Sequence, residues 1–292
     1  MLAKSRNTVG YSLFLTLLTI LFTILLVEMA CAQGGVRDLT ITTLYDNYSF
    51  NKDLMTGQGF SCLIRGTEKT ILFDIGSDTV LKNMEKLKIS PESIDVLVVS
   101  HNHPDHIGGM FHFLKKNSNV TVYIPQSFPE FFKYRVKDAG VMYVDIQDPV
   151  KIFKDVYSTG EMGTWIKEDA LVIRTAKGLV VIAGCAHPGI VSMVKKAKEI
   201  FSKEDVYLAM GGFHMLNMDG QGIKGVISKL RKENVNKVAP SHCTGDLAIS
   251  LLKEEYGDDF IPGGVGKEIK TEGAFSKPKE TGLYPESKLA AK

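Results

Sequence analysis

The stretch Ser100-His101-Asn102-His103-Pro104-Asp105-His106-Ile107-Gly108-Gly109 constrains this chain more than any other. Four side chains that bind metals, His101, His103, Asp105 and His106, fall within six residues. They follow an apolar run, Asp95-Val96-Leu97-Val98-Val99, that reads as a buried strand. They precede a helical pattern from Met110 to Lys116. The strand fixes the loop. His101 and His103, two residues apart, can aim at one ion, and Asp105 and His106, at the first turn of the helix, at a second. Imidazole nitrogen and carboxylate oxygen suit zinc, manganese or iron better than calcium or magnesium. The plainer reading is a loop that is merely rich in histidine. The chain has only seven histidines and three of them fall here, which favours the metal.

The 292 residues are 44% hydrophobic and 23% charged, a composition that supports an ordinary core. The formal charge is +2, of which residues 1–32 contribute +1. A near-neutral body gives no bulk electrostatic argument for nucleic acid. Residues 1–32 read as a targeting segment. Lys4 and Arg6 precede an uncharged, strongly apolar run, Tyr11 to Val27, and then Ala30-Cys31-Ala32, a small-x-small cleavage site. Cleavage after Ala32 would export the chain to the periplasm or the extracellular side. A lipoprotein-type cleavage at Cys31 and an uncleaved membrane anchor are the alternatives. Cys62, Cys185 and Cys243 remain beyond the leader, an odd count that argues against a disulfide framework.

Residues 33–270 read as one domain and 271–292 as a solvated Lys/Glu/Pro-rich tail. Strands are expected at 39–45, 59–65, 70–74, 95–99, 120–124, 170–175, 178–184, 205–210 and 238–240. Helices are expected at 80–87, 110–116, 127–139, 190–201, 222–233 and 247–255. The pattern of 140–163 is mixed, with short β-like runs at 141–145 and 150–157, and is expected to form loops over the site. Every ligand candidate comes just after a strand. That order fits an α/β (α+β) sandwich of two sheets with helices outside and ligands along one edge.

Three later strand ends add candidates. In Gly184-Cys185-Ala186-His187-Pro188-Gly189, His187 is expected at a helix N-cap with its side chain free. Cys185 can bridge or ligate as a thiolate, or be a small buried residue. In Gly211-Gly212-Phe213-His214, His214 can bind metal, hold substrate or move a proton. In Pro240-Ser241-His242-Cys243-Thr244-Gly245, His242 is assigned to the second metal, Thr244 with the helix-start amides to an anion seat, and Cys243 to packing. Asp74, in Phe73-Asp74-Ile75-Gly76, can hold a ligand histidine in its tautomer. His112 lies inside a helix and is expected to face solvent or neighbours.

With these residues in view, the chain resembles the metallo-β-lactamase-fold superfamily over roughly residues 38–268. His101-x-His103-x-Asp105-His106, preceded by Asp74, matches its metal signature. Asp46-Asn47, Gly57-Gln58-Gly59-Phe60-Ser61, Asn83, Gly184–Gly189, Gly211–His214 and His242–Gly245 are similar to the subgroup of dihydropterin–ribofuranosylaminobenzene phosphate synthase-like proteins. The resemblance implies an αββα sandwich with two divalent cations, zinc first, with manganese and iron as alternatives. It implies that His101, His103 and His187 hold one cation, and Asp105, His106 and His242 the other. Where most members carry a bridging Asp, this chain has Gly184-Cys185, so either Cys185 or a water bridges.

Two cations sharing a water would lower its pKa and supply the hydroxide that attacks an ester-type bond. Asp105 would orient the nucleophile, His214 would donate to the leaving group and Thr244 would hold a phosphate. The expected substrate is a small phosphodiester, phosphate ester or lactone-like ester, with no nucleic acid partner and contact with a membrane only through an uncleaved leader. Two rivals are a mononuclear iron thiol dioxygenase and a non-catalytic metal-binding surface module.

Overall fold

A computed structural model describes residues 35–202 and 204–271; the leader at 1–32 and residues 272–292 of the expected tail lie outside the described residues. In chain order the strands are β1 (Leu39–Tyr45), β2 (Ser61–Arg65), β3 (Ile71–Phe73), β4 (Val96–Val98), β5 (Thr121–Pro125), β6 (Met142–Ile146), β7 (Val150–Phe153), β8 (Val156–Ser158), β9 (Leu171–Thr175), β10 (Gly178–Ala183), β11 (Val206–Gly212), β12 (Val235–Ser241) and β13 (Glu268–Thr271). The α-helices are α1 (Thr79–Lys86), α2 (Pro104–Ile107), α3 (Met110–Leu114), α4 (Glu130–Asp138), α5 (Ile190–Ile200), α6 (Gly220–Lys232) and α7 (Asp246–Tyr256).

The strands form two sheets, one in the order β13-β1-β2-β3-β4-β5-β6 and the other β12-β11-β10-β9-β8-β7. In the first, β3 to β6 run parallel. In the second, β10, β11 and β12 do. Alternation along the strands builds three apolar layers. Ile71 and Phe73 of β3, and Val96 and Val98 of β4, meet Val180 and Ile182 of β10 between the sheets. Leu72 and Leu97 point the other way, onto Val80 and Met84 of α1 and Phe113 of α3. Val181 and Ala183 of β10 likewise face Met193 of α5, Ile223 of α6 and Leu252 of α7. Buried on both faces, these strands show unbroken apolar runs, as parallel strands do. The result is helices, sheet, sheet, helices: an αββα sandwich.

Two expectations are corrected. Most of 140–163 does not cover the site; it supplies β6, the edge of one sheet, and the β7–β8 hairpin at the edge of the other. The β-like runs at 141–145 and 150–157 are therefore strands, and as edge strands they are half solvated, with Met142 in β6 72% exposed. Residues 268–271 are strand β13, paired antiparallel with β1, with Ile269 in the layer between the sheets. The Glu-Ile-Lys-Thr pattern carries one apolar side chain, too little to register as a strand. Among the described residues no helix is long and apolar enough to cross a membrane.

Candidate metal centre

The site lies past the C-terminal ends of the parallel strands, where open α/β sheets place ligands. Beyond β3 comes Asp74, beyond β4 the Ser100–His106 loop and α2, beyond β10 Cys185 to His187, beyond β11 His214, and at the end of β12 His242. These turns require unusual backbone: Asp74, Ala186, His214 and His242 all have φ between 50° and 60°. Left-handed non-glycine residues cost energy and gather at functional sites.

Asp74 is fully buried and organises the loop. Its Oδ1 accepts from the Ser100 amide at 2.7 Å and its Oδ2 from the Ser100 hydroxyl at 2.8 Å. The Ser100 Oγ, having given its proton to Asp74, accepts from His101 Nδ1 at 2.8 Å. His106 Nδ1 donates to the same Asp74 Oδ2 at 2.7 Å. With Nδ1 engaged, each imidazole turns Nε2 inward, where its neutral form offers a lone pair. His242 is set the same way, its Nδ1 2.8 Å from Asn47 Oδ1.

The inward atoms fall into two groups. His101, His103 and His187 converge, with His101 Nε2 3.0 Å from His103 Nδ1 and the His187 ring 4.8 Å from each of the other two. Asp105, His106 and His242 form the second, with His106 Nε2 3.2 Å from His242 Nε2 and Asp105 Oδ2 3.5 Å from His242 Nε2. Cys185 Sγ lies 3.2 Å from both His106 Nε2 and His242 Nε2. Lone pairs of His106 and His242 thus face one another beside a carboxylate and a sulfur. The buried His187 Nε2 has no hydrogen-bond partner. Such an arrangement of donors is costly without a cation between them, and the residues fit a pair of cations.

Electrostatics agree. Burial, then the neighbouring imidazoles, holds His101 well below the usual histidine range. Burial and the nearby His214 lower His187 to about 4, and burial likewise lowers His242 to about 4. His106 differs: burial opposes its charge, but the Asp74 charge and hydrogen bond outweigh it and raise its pKa.

A second buried acid holds the far side of the site, and sequence reasoning missed it. Glu168 accepts from the amides of Cys185, Ala186 and His187, each at 2.8 Å. Burial raises its pKa to about 7 against those three bonds. Its one sequence signal is an acid pair, Glu168-Asp169, directly before the apolar β9. Asp46 is similarly buried and accepts from the His242 amide at 3.3 Å.

Other candidates are placed differently from expectation. The helix after His187 starts at Ile190 with Gly189 as its N-cap, so His187 lies in the preceding turn. Thr244 is fully buried; its hydroxyl donates to Ser241 O at 2.6 Å and accepts from the Phe213 amide at 3.1 Å. It braces the turn and has no capacity left for a phosphate. Cys243, assigned to packing, instead lines the open pocket of about 370 Å³ over the centre. Gln58, His214, Leu216, Asn217 and Met218 also line it. The segment after β11 is therefore what overhangs the site. His112 is exposed and pairs with Asp78 at 2.6 Å.

Residues 54–194 match the family model described as the metallo-beta-lactamase superfamily. The chain is 33% identical over 288 residues to the 7,8-dihydropterin-6-methyl-4-(beta-D-ribofuranosyl)-aminobenzene-5'-phosphate synthase of Methanocaldococcus jannaschii, an alignment that covers 81% of this chain and 98% of that one. Among solved structures it is similar to a metal-dependent hydrolase of the beta-lactamase superfamily, with TM-score 0.66 and 26% identity, covering 79% of this chain and 98% of the other. The short form of human tRNase Z shares the fold at TM-score 0.54 and 14% identity, with 79% of this chain and 98% of that one covered. The chain belongs to the metallo-beta-lactamase superfamily.

Proposed function

We propose that the chain is a two-metal hydrolase of an ester-type bond in a small molecule. The observation that carries this is the convergence of two triads of metal-binding side chains, in which His101 and His106 turn Nε2 inward because Nδ1 is hydrogen-bonded. His101, His103 and His187 would hold one cation; Asp105, His106 and His242 the other, with Cys185 placed to bridge. Bound there, the pair, in this reading zinc, would lower the pKa of a shared water and neutralise the oxyanion that forms.

The remaining roles fall to the chain's own side chains. Asp105 Oδ2, set between the pocket and His242, can orient the attacking water while it ligates. His214 faces His187 with ring centroids 4.3 Å apart and lines the pocket, where it can donate a proton to the leaving group. Its pKa is raised, first by its hydrogen bond with Cys243, which keeps that proton in place. Leu216 and Met218 provide an apolar rest for the body of a substrate. Among the described residues that line the pocket there is no Lys or Arg. That favours a phosphodiester or a lactone-like ester over a phosphate monoester, whose second charge would lack a partner.

A group-transfer reading also has support, because the Methanocaldococcus jannaschii relative is named a synthase. The same centre would then activate a nucleophile other than water. Metal analysis followed by a panel of phosphodiesters, phosphate esters and lactones tests the proposal. At least two zinc ions per chain and turnover that is abolished by a chelator and restored by stoichiometric zinc are expected. Fully loaded protein inert on the whole panel would reject hydrolysis, and a single iron per chain would favour the dioxygenase.

A further inference from the structure

One group of donors is not used by either triad as a whole. Cys185, His214 and Cys243 each offer a ligand atom, and these atoms lie within 4.8 Å of one another. They come from three separate strand ends, after β10, β11 and β12, and all three line the same pocket. Donors around one tetrahedral zinc stand about 3.5–3.8 Å apart at bond lengths of about 2.0–2.3 Å. The observed spacing needs only a small side-chain adjustment to reach that.

The backbone makes room for the sulfurs. A Cβ on Gly212 would sit 2.7 Å from Cys243 Sγ and 3.0 Å from Cys185 Cα. The first, like the 2.4 Å to Gly184 O, is closer than real contacts permit and the second is tight, so the absence of a side chain at 212 lets the two cysteine turns meet. Cys243 Sγ also lies 3.4 Å from Cys185 O.

We propose that Cys185, Cys243 and His214 form a binding site for a third, thiophilic cation of the zinc and cadmium class. Two sulfurs and one imidazole are a soft donor set, unlike the nitrogen- and oxygen-rich triads beside it. Cys185 is the shared member, and a thiolate sulfur has three lone pairs, enough for the third ion beside the pair it is placed to bridge. The remaining position of a tetrahedral ion faces the open pocket. In the hydrolase reading, on which this consequence alone rests, filling the site occupies His214 and removes the leaving-group donor. Excess thiophilic metal then lowers turnover.

The test uses the full chain equilibrated with zinc to count ions, and with cadmium to follow thiolate-to-metal absorption in the ultraviolet. Wild type is expected to bind one ion more than Cys243→Ser or His214→Ala. Affinity for that ion should fall by more than the roughly 10–100-fold typical of losing a supporting residue. The cadmium band should weaken in both variants, although His214→Ala removes no sulfur. Circular dichroism checks that each variant is folded; His214 is exposed, so its truncation opens no buried cavity. Equal ion counts in all three proteins, or a cadmium band that survives His214→Ala, would overturn the site. His101→Ala separates the two proposals: it depletes the His101 triad and should leave the cadmium response to His214 intact. Wild type that binds fewer than two ions, yet loses its band in His214→Ala, rejects the dinuclear hydrolase and keeps this site. Turnover that stays constant while the third equivalent is taken up would overturn the inhibitory consequence.

Discussion

Asp74 orients one histidine of each triad, His106 directly and His101 through Ser100. A single buried carboxylate therefore sets the tautomer on both sides of the centre. Asp74→Asn keeps the shape but puts an NH₂ where an acceptor is needed. Metal affinity should fall about 10–100-fold, measured by competition with a chromophoric chelator, with a larger loss than for a change at exposed His112. The candidate ligands in the His101–His106 loop are legible in the sequence because they are local: spacing alone puts them on one turn. Glu168 was not legible, because its role is to receive three amides from a turn seventeen residues or more away in sequence. An acid that serves backbone leaves no pattern of ligand spacing. Thr244 shows the converse error. A hydroxyl beside a helix start looks available for an anion until the buried Phe213 amide and Ser241 carbonyl claim it.

Among the elements, β11 carries the strictest demand. Gly211 has φ near 100°, and a Cβ there would lie 2.0 Å from Ala183 O of the neighbouring β10. Gly211→Ala combines left-handed strain with a collision against backbone that cannot move freely. It should destabilise the protein by about 3 kcal/mol or more, read from the midpoint of urea unfolding, while Gly220→Ala, with open space around it, should be near neutral. The strands and helices of the two central layers were readable because burial on both faces gives unbroken apolar runs. The edges were readable in part: the β-like runs at 141–145 and 150–157 are strands, though at the sheet edges rather than over the site, while the four residues of β13 carry one apolar side chain, too little to mark a strand. The placement of Asn83 explains a feature that the sequence only flagged. Its side chain donates to Leu44 O and Met55 O and accepts from the Met55 amide, tying α1 to the end of β1.

For the molecule as a whole, β13 closes one flank. It covers the free edge of β1 from Leu39 to Thr42, and Thr271 Oγ1 accepts from the Leu39 amide at 3.2 Å. Ending the chain at Lys267 would strip this edge and expose the space that Ile269 fills. Loss of about 2 kcal/mol and self-association through the bared strand are expected, checked by thermal melting and light scattering. A truncated protein that stays monomeric with an unchanged melting temperature would show that β13 is dispensable. The two triads also have a mechanical meaning. Each draws two ligands from the loop after β4 and its third from the opposite sheet, His187 in one case and His242 in the other. Cations held there would be rivets between the halves of the sandwich. The halves could not slide apart without breaking both, so ion occupancy would add to the stability of the fold.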